Sequence, residues 1–510
     1  MTSSLYDCKG VILLMKRTLA LILALLVVLP AMTACGDTAE APADGTGTSV
    51  SADAAENSTP EETEPERLSD DLPDTDLEGW TMRILSHHDP LSDESTFYAY
   101  ELTGEVVNDA IYERDSAIKE RFNCNFELIP GNGWATDITM LLNSVKAGSR
   151  DYDVSFLLPF ASGGSVITNN ALYNMLCVDH INFEKPWWHA DMNNQYTIGG
   201  YLPFVSSDYL ISSYQYANAL IFNKDIVTNY GIENMYELVK AGTWTFDKFK
   251  ELIEIPTQDV DGDGVFTDAD SYGFATNFGY HAITWGYAIG DVPVHMDDSS
   301  VTLGYDNERF YSMAQWLYEI LYNSNLAFEI GWDKDCTITW DTDRVFIQAV
   351  WLADMEKFRD CETDYGILPY PKYDESQDKY YTYVDARAGS LGIPIDAPTD
   401  VISKVGMILE AQSCASYYDT LPLYMNSIQN SRYTRDQESI DMIGYIGEGR
   451  RWDIGYSFSG GDSTYVWAIY RHLESSGGQI VSSLEKLSKP MIKQFEKILE
   501  SYQALAQLEW

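Results

Sequence analysis

The sequence predicts an α/β protein built as two lobes. Apolar strands and amphipathic helices alternate from Trp80 to Leu158, and they alternate again from Asn218 to Asn323. About 430 residues lie from Trp80 onward, enough for two or three domains. Such alternation implies a mostly parallel sheet in each lobe, because parallel neighbours need a crossover that a helix supplies.

The elements follow in order. Trp80–Leu85 alternates and then turns apolar, which reads as a first strand, with His87-His88-Asp89-Pro90 as its loop. Asn108 is the expected cap of a helix whose Ala110, Ile111, Ala117, Ile118 and Phe122 share a face. Asn123–Ile129 is a second strand, Ile138–Ala147 a helix stopped by Gly148, and Asp151–Leu158 a third strand closed by Pro159. In parallel sheets ligands bind beyond the carboxyl ends of strands, which points to the loops His87–Pro90 and Leu158–Ser162. Asn218–Asn223 is an apolar strand, and Lys224–Tyr230 a short helix ended by Gly231. Thr245 caps a helix that Pro256 terminates, and Asn307–Asn323 is strongly amphipathic.

The leader has its own logic. Lys16-Arg17 precede an apolar run that ends at Thr33-Ala34-Cys35-Gly36. This is the layout of a signal peptide, with a cysteine at the cleavage site. The run resembles a bacterial lipobox, in which Cys35 is acylated and becomes the new N-terminus. Plain secretion and a spanning helix are the competing readings, although the run is short for a bilayer roughly 30 Å thick. Residues 36–78 are rich in Ala, Thr, Ser, Pro and acids, with Arg67 the only base. Such a stretch should be a disordered spacer.

Composition excludes several classes. A net charge of −45 argues against nucleic acid, whose phosphates need clustered Lys and Arg, and against broad docking on anionic lipid. Beyond Cys35 the cysteines are Cys124, Cys177, Cys336, Cys361 and Cys414, an odd number without metal spacing. One Cys336–Cys361 bridge or free thiols are both open. No Gly-x-Ser-x-Gly, His-Glu-x-x-His or phosphate-loop motif is present.

Two features carry possible site chemistry. In Asp259-Val-Asp261-Gly-Asp263-Gly264-Val265-Phe266-Thr267-Asp268-Ala269-Asp270, acids stand at positions 1, 3, 5 and 12 with Gly264 at 6. Hard Ca²⁺ takes six to eight oxygens, and Asp259, Asp261, Asp263, the Val265 carbonyl and Asp270 can wrap one point. A solvated acidic turn is the other reading. The second feature is the aromatic set Trp187-Trp188, Tyr214, Tyr216, Trp285, Trp340, Trp351 and Trp452. These either stack on sugar rings or pack the lobes. An Asp/Glu pair for glycoside hydrolysis can be neither picked out nor dismissed among 78 acids.

Several motifs, in order, resemble family 1 extracellular solute-binding proteins of ABC transporters, most closely their clostridial lipoprotein branch. They are Gly104–Arg114, Lys185-Pro186-Trp187-Trp188, Asn218–Lys224, Gly242-Thr243-Trp244-Thr245, Asp364–Tyr373 and Tyr433–Ser439. The stretch Phe346-Ile-Gln-Ala349-Val350-Trp351 departs from the family pattern, with Ala349 and Val350 in place of Gly and Lys. The resemblance implies a periplasmic-binding-protein-like fold whose two lobes close about a hinge, no enzyme activity and no required cofactor. It implies a monomer, lipid-anchored on the extracellular face, that passes a solute, most often a sugar or oligosaccharide, to a permease. By likeness to the maltose-binding plan, lobe 1 takes residues 79–216 and 384–425, and lobe 2 takes 217–383 and 426–510. Crossings then fall at Tyr214–Asn218 and Tyr383–Asp385. The expected ligand residues are His88, Asp89, Tyr214, Trp285, Trp351, Asp354, Arg387 and Trp452. Arg387 serves sugar hydroxyls, a uronate carboxylate or a hinge salt bridge. A surface-anchored carbohydrate-active enzyme, or the same fold holding a peptide or another small molecule, remain the alternatives.

Overall fold

The structure is a computed structural model. It describes residues 67–510 except 88–95, 132–135, 280, 332–336, 338–339, 341, 386, 430–436, 460–465 and 468–470. Cys35, His88, Asp89 and Cys336 therefore lie outside the described residues. No described helix is long and apolar enough to cross a membrane.

In chain order the strands are β1 (Trp80–Ser86), β2 (Cys124–Pro130), β3 (Val154–Leu157), β4 (Asn218–Asn223), β5 (Tyr272–Thr276), β6 (Val294–Met296), β7 (Val301–Leu303), β8 (Ala327–Glu329), β9 (Val345–Trp351), β10 (Tyr365–Leu368), β11 (Thr382–Tyr383), β12 (Ser390–Gly392) and β13 (Arg450–Arg451). The first lobe holds a sheet of order β12-β3-β1-β2, the second a sheet of order β10-β4-β9-β5-β8. The first is parallel except for β12, which runs against β3. In the second, β9, β5 and β8 are parallel, and β4 runs against both β9 and β10. The second sheet is thus more mixed than the alternation implied.

The two reversed strands have one cause. The parallel strands end at the edge where the lobes join. A strand entered from that junction starts at this edge and must run away from it. β4 begins straight after residues 214–217, and β12 shortly after Asp385. Between them lies a ribbon of three segments. Ala217 bridges Val384, the Asp385 amide donates to the Tyr216 carbonyl at 2.9 Å, and β11 pairs with β13 at Thr382–Arg450. The third segment, 449–452, has no counterpart among the expected crossings.

Local signals set the ends of several helices. Thr245, Asn223 and Asn307 each accept amide hydrogen bonds at the heads of their helices, and Gly231 ends its helix at φ 65°. The helix expected to start at Asn108 begins at Val106. Asp109 in its first turn accepts from the Thr103 and Gly104 amides, and Asn108 Nδ2 donates to the Glu101 carbonyl.

Two boundaries differ from expectation. The acidic spacer stops short of residue 78, since Arg67 pairs with Asp419, Asp70 with Arg121, and Asp71 with Lys185, while Leu77 is buried. Its acids meet the few bases of the body, and that docks the segment. The last helix, Val481–Leu505, expected with the second lobe, lies against helix Pro159–Thr168 of the first and against β7. Its Tyr502 packs edge-on to Tyr201 and donates to the Tyr196 carbonyl at 3.2 Å.

Candidate functional site

The carboxyl ends of β5 and β9 and the start of β4 bring one cluster together. Trp351 closes β9 and is half-buried. Its amide donates to Asp354 Oδ2 at 3.0 Å, so the carboxylate fixes the first turn of the 3₁₀ segment Leu352–Asp360. Lys357 Nζ pairs with the other Asp354 oxygen at 2.8 Å. The Arg387 guanidinium lies 4.6 Å from the centre of the Trp351 ring, and its Nε stands 3.4 Å from Asp385 Oδ1. Three expected ligand residues, Trp351, Asp354 and Arg387, therefore converge, and for Arg387 the hinge ion pair is present.

His281 joins this group, and the sequence reading missed it. Its ring centre is 4.8 Å from that of Trp351. Asn218 Nδ2 donates to the Tyr383 carbonyl at 3.0 Å, which turns Asn218 Oδ1 toward His281 Nδ1 at 2.8 Å. Nδ1 must then carry the proton, and Nε2 is left as an acceptor. Burial pushes the imidazole down to about 4; Asp354 opposes the shift and Arg387 adds to it. The group offers an aromatic plane, a cation and a neutral acceptor side by side, the mix that orients a polar ring.

A second cluster sits on the hinge ribbon. The Arg450 guanidinium lies 3.7 Å from the Tyr214 ring centre and 5.2 Å from that of Trp452. Trp452 stacks on His189 at 5.6 Å. His189 bonds Asp208 through Nε2 at 2.9 Å and Ser206 through Nδ1 at 3.1 Å. Burial lowers the His189 pKa against the pull of Asp208. Burial raises the Tyr214 phenol to about 12, with Arg450 opposing. The ribbon links the clusters: the Thr382 hydroxyl donates to the Asn218 carbonyl at 2.6 Å, and Thr382 faces Arg450. Two strand spacings, roughly 10 Å, separate Asn218 from Arg450.

Other expected residues lie elsewhere. Trp285 is fully buried among Phe246, Phe249, Trp316 and Tyr370, so it is a core residue of the second lobe and not a ligand contact. Trp187 and Trp188 are also core, their indole N–H groups held by Glu410 at 3.0 and 2.8 Å. Trp340 is buried against Phe358 and Tyr365. His87 is buried beside Asp137, 3.3 Å away. A cavity of about 500 Å³ between Asn194–Thr197 and hairpin β6–β7 is polar. Its Asp297 is spent on Ser299 and Ser300, and its Asp298 on the Gly199 amide.

The acidic loop folds as a hairpin closed by the Gln258–Ser271 bridge, without flanking helices. Carboxylate oxygens of Asp259, Asp261 and Asp263 lie within 4.8 Å of one another. Asp270 stands apart from this group. Its oxygens accept from the Val260 and Thr267 amides at 2.8 and 2.7 Å, which hold its pKa below the usual range. Asp270 thus fixes the loop, as Asp259 also does through the Gly262 and Gly264 amides.

No family model and no curated protein matches the chain. Solved structures do. The galacto-N-biose/lacto-N-biose I-binding protein of an ABC transporter from Bifidobacterium longum matches at TM-score 0.54 and 11% identity, over 83% of this chain and 99% of that one. The ABC substrate-binding protein Lmo0181 from Listeria monocytogenes, solved with cycloalternan, matches at 0.51 and 10%, over 82% and 99%. UgpB from Mycobacterium tuberculosis, solved with glycerophosphocholine, matches at 0.51 and 13%, over 82% and 98%. The likeness is one of fold: this chain has the two-lobed α/β fold of ABC-transporter solute-binding proteins.

The His281 environment sets a pH dependence. An imidazole with a folded pKa of about 4 and an ordinary value of 6.5 binds fewer protons folded than unfolded between those values. Its stabilising share is complete above pH 6.5 and is lost as pH falls to 4. Relative to His281→Gln, the wild type should therefore lose about 3 kcal/mol between neutral pH and pH 4, read by urea unfolding. A pH-independent difference would mean that His281 is not held neutral.

Proposed function

We propose that this chain is the solute receptor of an ABC transporter and captures a carbohydrate by lobe closure. The observation that carries the reading is the half-buried Trp351, with Arg387, neutral His281 and Asp354 beside it, at the junction of the two lobes. A ligand there touches groups from both sides of the hinge and selects the closed state, which a permease reads. Acylated Cys35 and the acidic spacer hold the receptor at the extracellular face of the membrane, raising its effective concentration there. The sugars named with some of the similar structures support the ligand class.

Hydrolysis is less well supported. General acid catalysis needs a cleft carboxyl with a raised pKa. The raised carboxyls among the described residues are Asp115, Glu410 and Asp453, all buried. Each is bonded to structural donors: Arg114 for Asp115, the two indoles for Glu410, Tyr287 for Asp453. The proposal also includes a structural Ca²⁺ on Asp259, Asp261 and Asp263, since three clustered carboxylates on one turn suit a hard cation.

Calorimetry with a panel of oligosaccharides should find a ligand that is recovered chemically unchanged. Trp351→Ala should weaken it by about tenfold to a hundredfold. Binding untouched by that variant, or cleaved glycan, would overturn the site or the receptor reading. Titrated Ca²⁺ should bind at a single site that Asp261→Ala abolishes; absence of heat would leave a solvated turn.

A further inference from the structure

Among the described residues, the buried cation of the hinge has no anion. Arg450 is 9% exposed. Its Nε donates to the Gly447 carbonyl at 3.1 Å and its Nη1 to Ser213 Oγ at 3.0 Å. Among the described residues no carboxylate stands within ion-pair distance of it. Arg83, Arg114 and Arg387, by contrast, each have an aspartate, Asp153, Asp115 and Asp385. Asp208, the carboxylate of the Arg450 cluster, is held by His189. The contrast is sharp in a chain with 78 acids and 33 bases, where an anion is easily found.

A guanidinium stays charged at any physiological pH, and burying it unpaired is costly. The Tyr214 and Trp452 rings offset part of that cost. Two of its five N–H donors are spent on the Gly447 and Ser213 bonds. Tyr214 and Gly447, which hold the cation, also line a cavity of about 490 Å³, to which Glu448 contributes and Arg450 does not.

We propose that Arg450 is a subsite for a carboxylate on the solute, so that the preferred ligand is a uronate-bearing oligosaccharide. One guanidinium balances one negative charge. In a protein of net charge −45, a phosphate monoester with nearly two charges is the poorer fit. Arg387, already neutralised by Asp385, is left for hydroxyls. The inference rests on the carbohydrate reading given above.

The test is calorimetry on the full chain with glucuronate- and galacturonate-containing oligosaccharides, their methyl esters, the matching neutral sugars and a sugar phosphate. A charged hydrogen-bonded pair predicts that wild type binds the free acid about tenfold to a hundredfold more tightly than its ester. Arg450→Gln should erase that preference, so that the acid and its ester bind the variant alike. Should the variant unfold, the acid-to-ester ratio in the wild type decides alone. Equal binding of acid and ester, or preference for the phosphate, overturns the carboxylate subsite and leaves the sugar receptor intact. Failure of every sugar to bind overturns the carbohydrate reading, and the subsite with it.

Discussion

The structure turns on one hydrogen-bonded ribbon. Segments 214–218, 382–385 and 449–452 lie side by side, and every described pass of the chain between the lobes goes through them. Backbone polar groups at such a junction cannot be left unpaired, and the ribbon pairs them without a helix or a full sheet. It fixes the direction of β4 and β12, and so the one reversed strand in each sheet. It also sets Asn218, Thr382 and Arg450 abreast, which brings residues from distant parts of the sequence to one place.

Charge around the ribbon is managed one group at a time. Arg387 has Asp385, His189 has Asp208, and His281 is kept neutral by burial with Asn218 fixing its tautomer. Asp453, just past β13, is pushed up to about 6 by burial; Tyr287 and the amides of Gly455 and Tyr456 oppose the shift. That aspartate ties the end of the ribbon to helix Ala282–Ala288 of the second lobe. Polar groups so placed hold the hinge in one register. The proposed closure about such a ribbon needs small changes in a few backbone angles.

How much of this could be read from the sequence depends on how local each signal is. Thr245, Asn223 and Asn307 cap helices by bonding amides two or three residues away, so their positions were legible. Strand identity was legible from apolar runs; strand direction in the second sheet was not, because it depends on where the chain enters the sheet. Trp351, Asp354 and Arg387 came together because β9 ends at Trp351, next to the start of β4, and Arg387 follows the Tyr383–Asp385 crossing. Trp285 did not, because only tertiary packing decides whether a tryptophan faces the core or a groove. Arg450 was missed for the same reason, as its pairing with Thr382 spans 68 residues of sequence. The one local hint was a basic pair, Arg450-Arg451, beside Trp452 in a strongly acidic chain.

The central claim is that ligand bridges two lobes across this ribbon and draws them together. Small-angle X-ray scattering of the full chain, with and without a saturating oligosaccharide that calorimetry shows to bind, tests it most directly. The account predicts a smaller radius of gyration in the bound state, with unchanged mass. Tight binding with an unchanged radius would contradict it, and would make the junction a rigid pocket and not a hinge.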